Sequence, residues 1–275
     1  MRAFELVEPA TLREAAASLG ADDSTIRPIA GGTAIVLMMK AGVFRPERLV
    51  SLRRIERRHA AIERTAEGGL HIGAMATLTA LEHSADIRAA APVIARMLRN
   101  HSNVRVRNVA TVGGNLAHAD PNMDMPPVLI ALGARVTTIS SDGERSIAVE
   151  DLPAGFYQTV LKPNELIAAL EIPAQHARRS AYLKCTTRAA HDWPTLGIAV
   201  SLGDNDARIV ISAATERPMR LTAAENEFRD PRKAAEAAAD TVKIMPDARG
   251  SIPYKRQLVR VYVERALRAA MEAAS

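Results

Sequence analysis

The chain has one cysteine, Cys185, among 275 residues. One thiol closes no disulfide within the chain. It also supplies only one of the four thiolates an iron–sulfur cluster takes, so these residues hold no such cluster by themselves. Aromatic residues are 3% of the chain against 48% hydrophobic, so the core must be built from Ala, Val, Ile and Leu. No run approaches the roughly 18 apolar residues of a membrane-spanning helix. The opening Met1-Arg2-Ala3-Phe4-Glu5 lacks the apolar stretch of a secretory signal, and the expected location is cytoplasmic. The net charge of +5 is carried mainly by arginine, densest at Arg45, Arg48, Arg53, Arg54, Arg57 and Arg58. Basic surfaces that bind single strands interleave aromatic rings. No Phe, Tyr or Trp lies between Phe44 and Phe156. The cluster therefore reads as a solvated face or a patch for an acidic partner protein, not a nucleic-acid site.

What is present is local punctuation. Thr11 followed by Glu14 is a capping box opening a helix that Gly20 ends. Arg27 to Ala30 reads as a strand and residues 34–40 as a helix. A strand at 49–52 and a hairpin over 60–64 and 70–73, turned at Glu67-Gly68-Gly69, come next. Helices are expected from Thr77, over 87–98 with a restart at Pro92, and over 127–132. Strands are expected over 134–140, 145–148 and 165–172. Residues 175–180 are polar and aperiodic and mark a domain boundary. Three antiparallel strands follow at 181–187, 195–202 and 207–213, then helices at 221–229, 231–243 and about 254–273. The last helix carries an apolar stripe of Leu258, Val261, Tyr262 and Ala266.

Two glycine pairs carry the chemistry. One is Ala30-Gly31-Gly32-Thr33. The other is Thr111-Val112-Gly113-Gly114-Asn115, trailed by Ala119-Asp120-Pro121-Asn122-Met123-Asp124-Met125-Pro126. Glycine has no side chain to block a phosphate approaching the backbone N–H groups. Neither segment is a P-loop or a Gly-x-Gly-x-x-Gly fingerprint. Two such loops in one domain, with hydroxyls at Thr33 and Thr111 and a carboxylate at Asp124, suit a pyrophosphate with a nucleoside beside it. His118, Asp120 and Asp124 match no standard metal spacing, and no metal site is expected. Cys185 and Met38, Met39, Met123 and Met125 read as packing.

These segments, with Tyr182-Leu183-Lys184, Arg188 and Asp192-Trp193-Pro194, resemble the FAD-binding medium subunit of the molybdenum hydroxylases, of the carbon monoxide dehydrogenase and xanthine dehydrogenase type. The resemblance runs over nearly the whole chain, including Arg265-Ala266-Leu267 in the closing helix. Its most specific part is the second glycine pair with Asp-Pro-x-x-Asp-x-Pro-Pro. It implies an α+β fold. Residues 1–176 would be a two-subdomain FAD-binding domain of the PCMH/VAO-like kind, dividing near residue 56. Residues 177–275 would be a small antiparallel sheet with a helical bundle, and the flavin would lie in the groove between the domains.

It also implies roles. Pro28, Ile29, Ala30, Gly31, Gly32, Thr33, Ala34 and Ile35 would form the first pyrophosphate loop. Thr111, Val112, Gly113, Gly114 and Asn115 would form the second. Asp124 would hold the adenosine end, Leu161 would line the flavin site, and Lys184 would lie near the ring. His101 falls where some members place an aromatic beside the cofactor. Trp193 falls where the carbon monoxide dehydrogenase branch places a tyrosine over the ring; the other reading of Trp193 is a core residue of the C-terminal domain. Ala34 stands where many relatives carry Asp, Asn or Ser. The implied activity is electron transfer within a doubled heterotrimer. A large subunit would hold the molybdopterin cofactor, a small one two [2Fe–2S] clusters, and this chain the FAD. NAD, oxygen and quinone all serve as acceptors in the broader family. The competing readings are a stand-alone flavin oxidase and a scaffold that has lost its flavin.

Overall fold

The computed structural model describes residues 2–20 and 23–273. The first unit comprises β1 (Glu5–Val7), α1 (Leu12–Ala17), β2 (Ile26–Ile29), α2 (Ile35–Lys40) and β3 (Arg48–Ser51). Its three strands are parallel, in the order β1-β3-β2. The capping box is formed as read: Glu14 N–H donates to Thr11 Oγ1 at 3.1 Å, and Thr11 N–H donates to the Glu14 carboxylate at 3.3 Å. With its start fixed, α1 buries Leu12, Ala15 and Ala16. These pack with Val50 and Leu52, and also with Ile139, Leu166 and Ala168 of the next unit. The seam between the units is thus apolar.

The second unit contains β4 (Ile62–Arg64), β5 (Leu70–Gly73), α3 (Leu78–His83), α4 (Ala85–Ala90), α5 (Pro92–Leu98), α6 (Val104–Arg107), α7 (Val112–His118), α8 (Met125–Ala131), β6 (Arg135–Ser140), β7 (Gly143–Ala148), β8 (Pro153–Gly155), β9 (Gln158–Thr159) and β10 (Leu166–Ile172). Five strands form an antiparallel sheet, β4-β5-β10-β6-β7. The restart at Pro92 is seen, with proline at the first position of α5. One expectation changes: the second glycine segment is not a loop but the body of α7, capped by Thr111. Glycine disfavours helix by about 1 kcal/mol, which hid α7 in the sequence. Packing overrides that propensity. A Cβ on Gly113 would stand 2.8 Å from the Ala74 Cβ.

Glu165 ties this sheet together. Arg145 holds its two oxygens at 2.6 Å each, Lys162 N–H donates at 2.9 Å, and the Thr138 hydroxyl donates from β6. Burial pushes the carboxyl up, but the Arg145, Thr138 and Lys162 hydrogen bonds outweigh it and lower it to about 2. A depressed carboxyl stabilises the fold above its ordinary value of 4.5 and loses that contribution as pH falls through the folded value. Glu165→Gln is therefore expected to cost on the order of 2 kcal/mol near neutrality. The gap between wild type and variant should narrow as urea unfolding is repeated from pH 7 toward pH 3. A gap that stays constant with pH would contradict the assignment.

The third unit is a sheet backed by helices. It contains β11 (Arg179–Cys185), β12 (Leu196–Leu202), β13 (Ala207–Ser212), β14 (Met219–Arg220), α9 (Thr222–Asn226), α10 (Pro231–Thr241) and α11 (Ile252–Glu272). The four antiparallel strands lie in sequence order. Strand β12 is buried on both faces, which suits its largely apolar sequence, broken only by the buried Ser201. Ile198 and Val200 join the core that α10 and α11 also build, while Ala199 and Val210 join the core of the second unit. The buried stripe of α11 is Lys255, Val259, Val263, Ala266, Leu267 and Ala270, which displaces the expected one. Only Ala266 is shared; Leu258 and Tyr262 are half-buried at its edge. The displacement traces to Lys255. It is 1% exposed, paired with Asp247 at 3.0 Å and donating to the Ala213 carbonyl at 3.4 Å. A charged residue on the buried stripe shifts any reading based on hydropathy.

Candidate functional site

The two glycine segments meet. A Cβ on Gly31 would lie 2.0 Å from the Val109 carbonyl oxygen and 3.0 Å from the Ala110 Cα. One on Gly114 would lie 3.9 Å from the Ala30 Cβ. The chain leaves β2 at Pro28 and Ile29, where the Ile29 carbonyl accepts from Leu52 N–H at 2.9 Å. It then turns through Gly32, whose φ of +71° is a glycine conformation. From there the N–H groups of Gly31, Gly32, Thr33, Ala34 and Ile35 find no acceptor among the described residues. The Ala34 side chain caps nothing, so this run of five donors stays open.

The second pair departs from expectation. Gly113 N–H donates to the Ala74 carbonyl at 2.8 Å, Gly114 N–H to Thr111 Oγ1 at 3.1 Å, and Val112 N–H to the Ala76 carbonyl at 3.0 Å. These amides are spent inside the protein and are not open to a phosphate. The glycines instead let α7 approach the turn at Ala74 and the first loop. What this segment leaves unpaired is Thr111 N–H and Asn115 Oδ1, a buried oxygen with no hydrogen-bond partner.

A second cluster lies on Asp124, which is 3% exposed. His101 Nδ1 is 2.7 Å from Oδ2, Lys184 Nζ donates to Oδ2 at 3.0 Å, and the Tyr182 hydroxyl donates to Oδ1 at 2.6 Å. Burial raises the Asp124 carboxyl, but the His101 hydrogen bond and charge, then Lys184 and Tyr182, win and hold it below its ordinary range. It is therefore a carboxylate that only accepts, so His101 carries its proton on Nδ1 and turns Nε2 outward from this contact. Burial, and then the Asp124 charge, push the Tyr182 phenol well above its usual value. The turn bearing His101 is clamped by Arg107, which donates to the His101 and Ser102 carbonyls at 3.0 Å each. Lys184 also donates to the Asn100 carbonyl at 3.2 Å.

Asp124 and Lys184, expected at the adenosine end and near the ring respectively, are in contact with each other. Tyr182 was missed as a site residue. Its signal was the two-residue spacing to Lys184, which puts both side chains on one face of β11. The Asp124 cluster approaches the glycine segments through Met123, whose sulfur accepts from Asn115 Nδ2 at 3.4 Å. Leu161 is half-buried against the core of the second unit. Trp193 is 58% exposed beneath the Arg249 guanidinium, 5.9 Å from the ring centroid. It is not a core tryptophan.

The family described as FAD binding domain in molybdopterin dehydrogenase matches residues 2–175. The chain belongs to that family. It is similar to the carbon monoxide dehydrogenase medium chain of Hydrogenophaga pseudoflava, 30% identical over 280 residues, with 97% of this chain and 96% of the relative covered. It is also similar to the glyceraldehyde dehydrogenase medium chain of Sulfolobus acidocaldarius, 28% identical over 276 residues, with 96% and 97% covered. Among solved structures, carbon monoxide dehydrogenase from Hydrogenophaga pseudoflava, in a form lacking the Mo-pyranopterin moiety of the molybdenum cofactor, superposes with a TM-score of 0.93 at 30% identity. The match spans 100% of this chain and 99% of that one. The chain is thus a FAD-binding medium subunit of the molybdenum hydroxylase family, an oxidoreductase component whose cofactor is FAD. No helix among the described residues is long and apolar enough to cross a membrane.

The residues fit that cofactor. Five unpaired amides in one turn suit the oxygens of a pyrophosphate. The orphaned Asn115 Oδ1 needs a donor, and the hydroxyls of a sugar or ribityl chain are donors. Gly31 and Gly114, lacking side chains, let the two glycine segments lie against each other.

Proposed function

We propose that this chain passes electrons from [2Fe–2S] clusters of a small partner subunit to an external acceptor, within a heterotrimer whose large subunit holds the molybdopterin cofactor. The observation that carries the reading is the pairing of an open five-amide turn, Gly31 to Ile35, with a single cysteine that is buried at the end of β11. The chain offers a flavin cradle and too few cysteines for a cluster of its own, which supports the reading that its electrons come from another chain. Residues 1–176 would hold FAD and residues 177–275 would close over it. The assembly would be doubled and cytoplasmic.

When bound, FAD supplies a ring that accepts and releases electrons. The amides of Gly31 to Ile35 and Thr111 would hold the pyrophosphate, and Asn115 Oδ1 would take a hydroxyl proton. Lys184, fixed by Asp124, places a cation where negative charge on a neighbouring group is stabilised. His101 Nε2 faces away from the carboxylate. Trp193, exposed on the surface, would cover the flat ring.

Trp193 is the only tryptophan, so its emission reports on one place. Adding FAD to the apo chain is expected to quench most of that emission. Emission that is unchanged at full flavin occupancy would remove Trp193 from the neighbourhood of the ring. The wider proposal is tested by purifying the tagged chain from its native host. The expected result is recovery of an iron–sulfur chain and a molybdenum-containing chain in equal amounts, with flavin that bleaches when the complex meets its reducing substrate. A chain that purifies alone and oxidises a small molecule at full rate would overturn it in favour of a self-sufficient oxidase.

A further inference from the structure

The structure sorts the basic run noted in the sequence. Arg48 pairs with Glu5, Arg54 with Glu8 and Arg58 with Glu56. Arg45 meets no carboxylate among the described residues. With Arg2 and Lys40 it lines one open concavity of about 320 Å³, walled on its apolar side by Met39, Phe44 and Pro46. Among the described residues none of these three cations meets a carboxylate within ion-pair distance or donates a hydrogen bond. Gly42, at a φ of +72°, turns the chain so that the Arg45 guanidinium lies over it, 3.9 Å from where a Cβ would stand. Arg27 adds a fourth positive charge beside the wall, 5.7 Å from the Phe44 ring centroid.

Cations do gather at helix C-termini, where the macrodipole is negative. That accounts for Lys40, the last residue of α2. It does not account for Arg2 and Arg45, which come from the chain start and from the segment beyond α2. Three unpaired cations around one hollow repel one another unless an anion sits among them. The volume falls within the roughly 300–1,000 Å³ of small-ligand pockets. The hollow is at the opposite end of α2 from the open amides, and six helical residues rise about 9 Å.

We propose that this concavity is a second, separate binding site for a nucleotide. Its phosphates lie among Arg2, Lys40 and Arg45, and its flat base lies against Phe44, Pro46 and Met39. The site is independent of the flavin cradle and of the electron-transfer reading.

The test uses the full chain reconstituted with FAD and desalted, titrated with ADP by calorimetry at low salt while flavin absorbance is followed. The expected result is one saturable site per chain with flavin retained. Its affinity should fall about tenfold or more in Lys40→Glu/Arg45→Glu and fall again with added salt. A control variant, Arg53→Glu/Arg57→Glu, makes the same charge change outside the hollow and should bind ADP like wild type. Inorganic pyrophosphate should bind more weakly than ADP because it cannot use the Phe44 wall. The proposal is overturned by absence of saturable binding, by release of flavin as ADP binds, or by equal weakening in the control. Equal affinity for pyrophosphate and ADP overturns the nucleotide assignment. Flavin content unchanged in both variants shows that the cradle is intact whichever result is obtained.

Discussion

Alanine at position 31 is expected to strip the flavin from the chain. The added methyl would stand 2.0 Å from the Val109 carbonyl oxygen and 2.6 Å from its carbon. Those are backbone atoms, so no rotamer change relieves the clash; one loop must move off the other. Over-packing of this kind costs about 1–3 kcal/mol, and a rigid backbone contact belongs at the upper end. The displaced segment is the one that carries the five open amides, so the same shift would disturb the proposed pyrophosphate cradle. At about 1.4 kcal/mol per factor of ten, a loss of 3 kcal/mol is about a hundredfold in affinity. Gly31→Ala should therefore lose its flavin on desalting, and its melting temperature should fall. Gly114→Ala is the contrast. Its new methyl would meet only the Thr111 hydroxyl at 3.0 Å and the Ala30 methyl at 3.9 Å, so it should fold and bind with a smaller loss. Equal flavin content in Gly31→Ala and wild type would refute the placement of the cradle.

Asp124→Ala is expected to be the most destabilising single change in the cluster. It leaves Lys184 buried without a counter-charge and strands the Tyr182 hydroxyl and the His101 ring. Breaking a buried pair from one side typically costs about 3–5 kcal/mol. Asp124→Asn keeps the shape and removes only the charge. Because the carboxyl lies below its ordinary range in the fold, its contribution is full above the unfolded carboxylate range and fades as pH falls through the folded value. Denaturant titrations should show Asp124→Asn well below wild type near neutrality and converging with it in acid. Adding Lys184→Met to Asp124→Asn should recover part of the loss. A double variant no better than the single would mean that the ion pair is not the source of the cost.

The features legible in the sequence were those whose causes are local. The Thr11 and Glu14 capping box, the turn at Gly68-Gly69 and the restart at Pro92 each depend on a few neighbouring residues, and each formed as expected. The features that were not legible depend on distant partners. Gly113 is glycine because of Ala74, and its amide is spent on the same residue. That is why α7 and the inward use of its N–H groups could not be read from the pair itself. Asp124 collects His101, Tyr182 and Lys184 across 23, 58 and 60 positions, so no spacing announces the cluster. In α11 a buried lysine on the inner stripe moved the apparent apolar face. The glycine pairs stand out as residues in the sequence, yet their different settings emerge only in three dimensions: one pair leaves its amides unpaired, the other lets helix and loop come close.

The most direct measurement of the central claim is an absorption titration of the purified chain with FAD. The account predicts flavin bands that shift on binding and saturate at one FAD per chain, and no such change in Gly31→Ala. A free-flavin spectrum throughout the wild-type titration, repeated with the native partner subunits present, would contradict it.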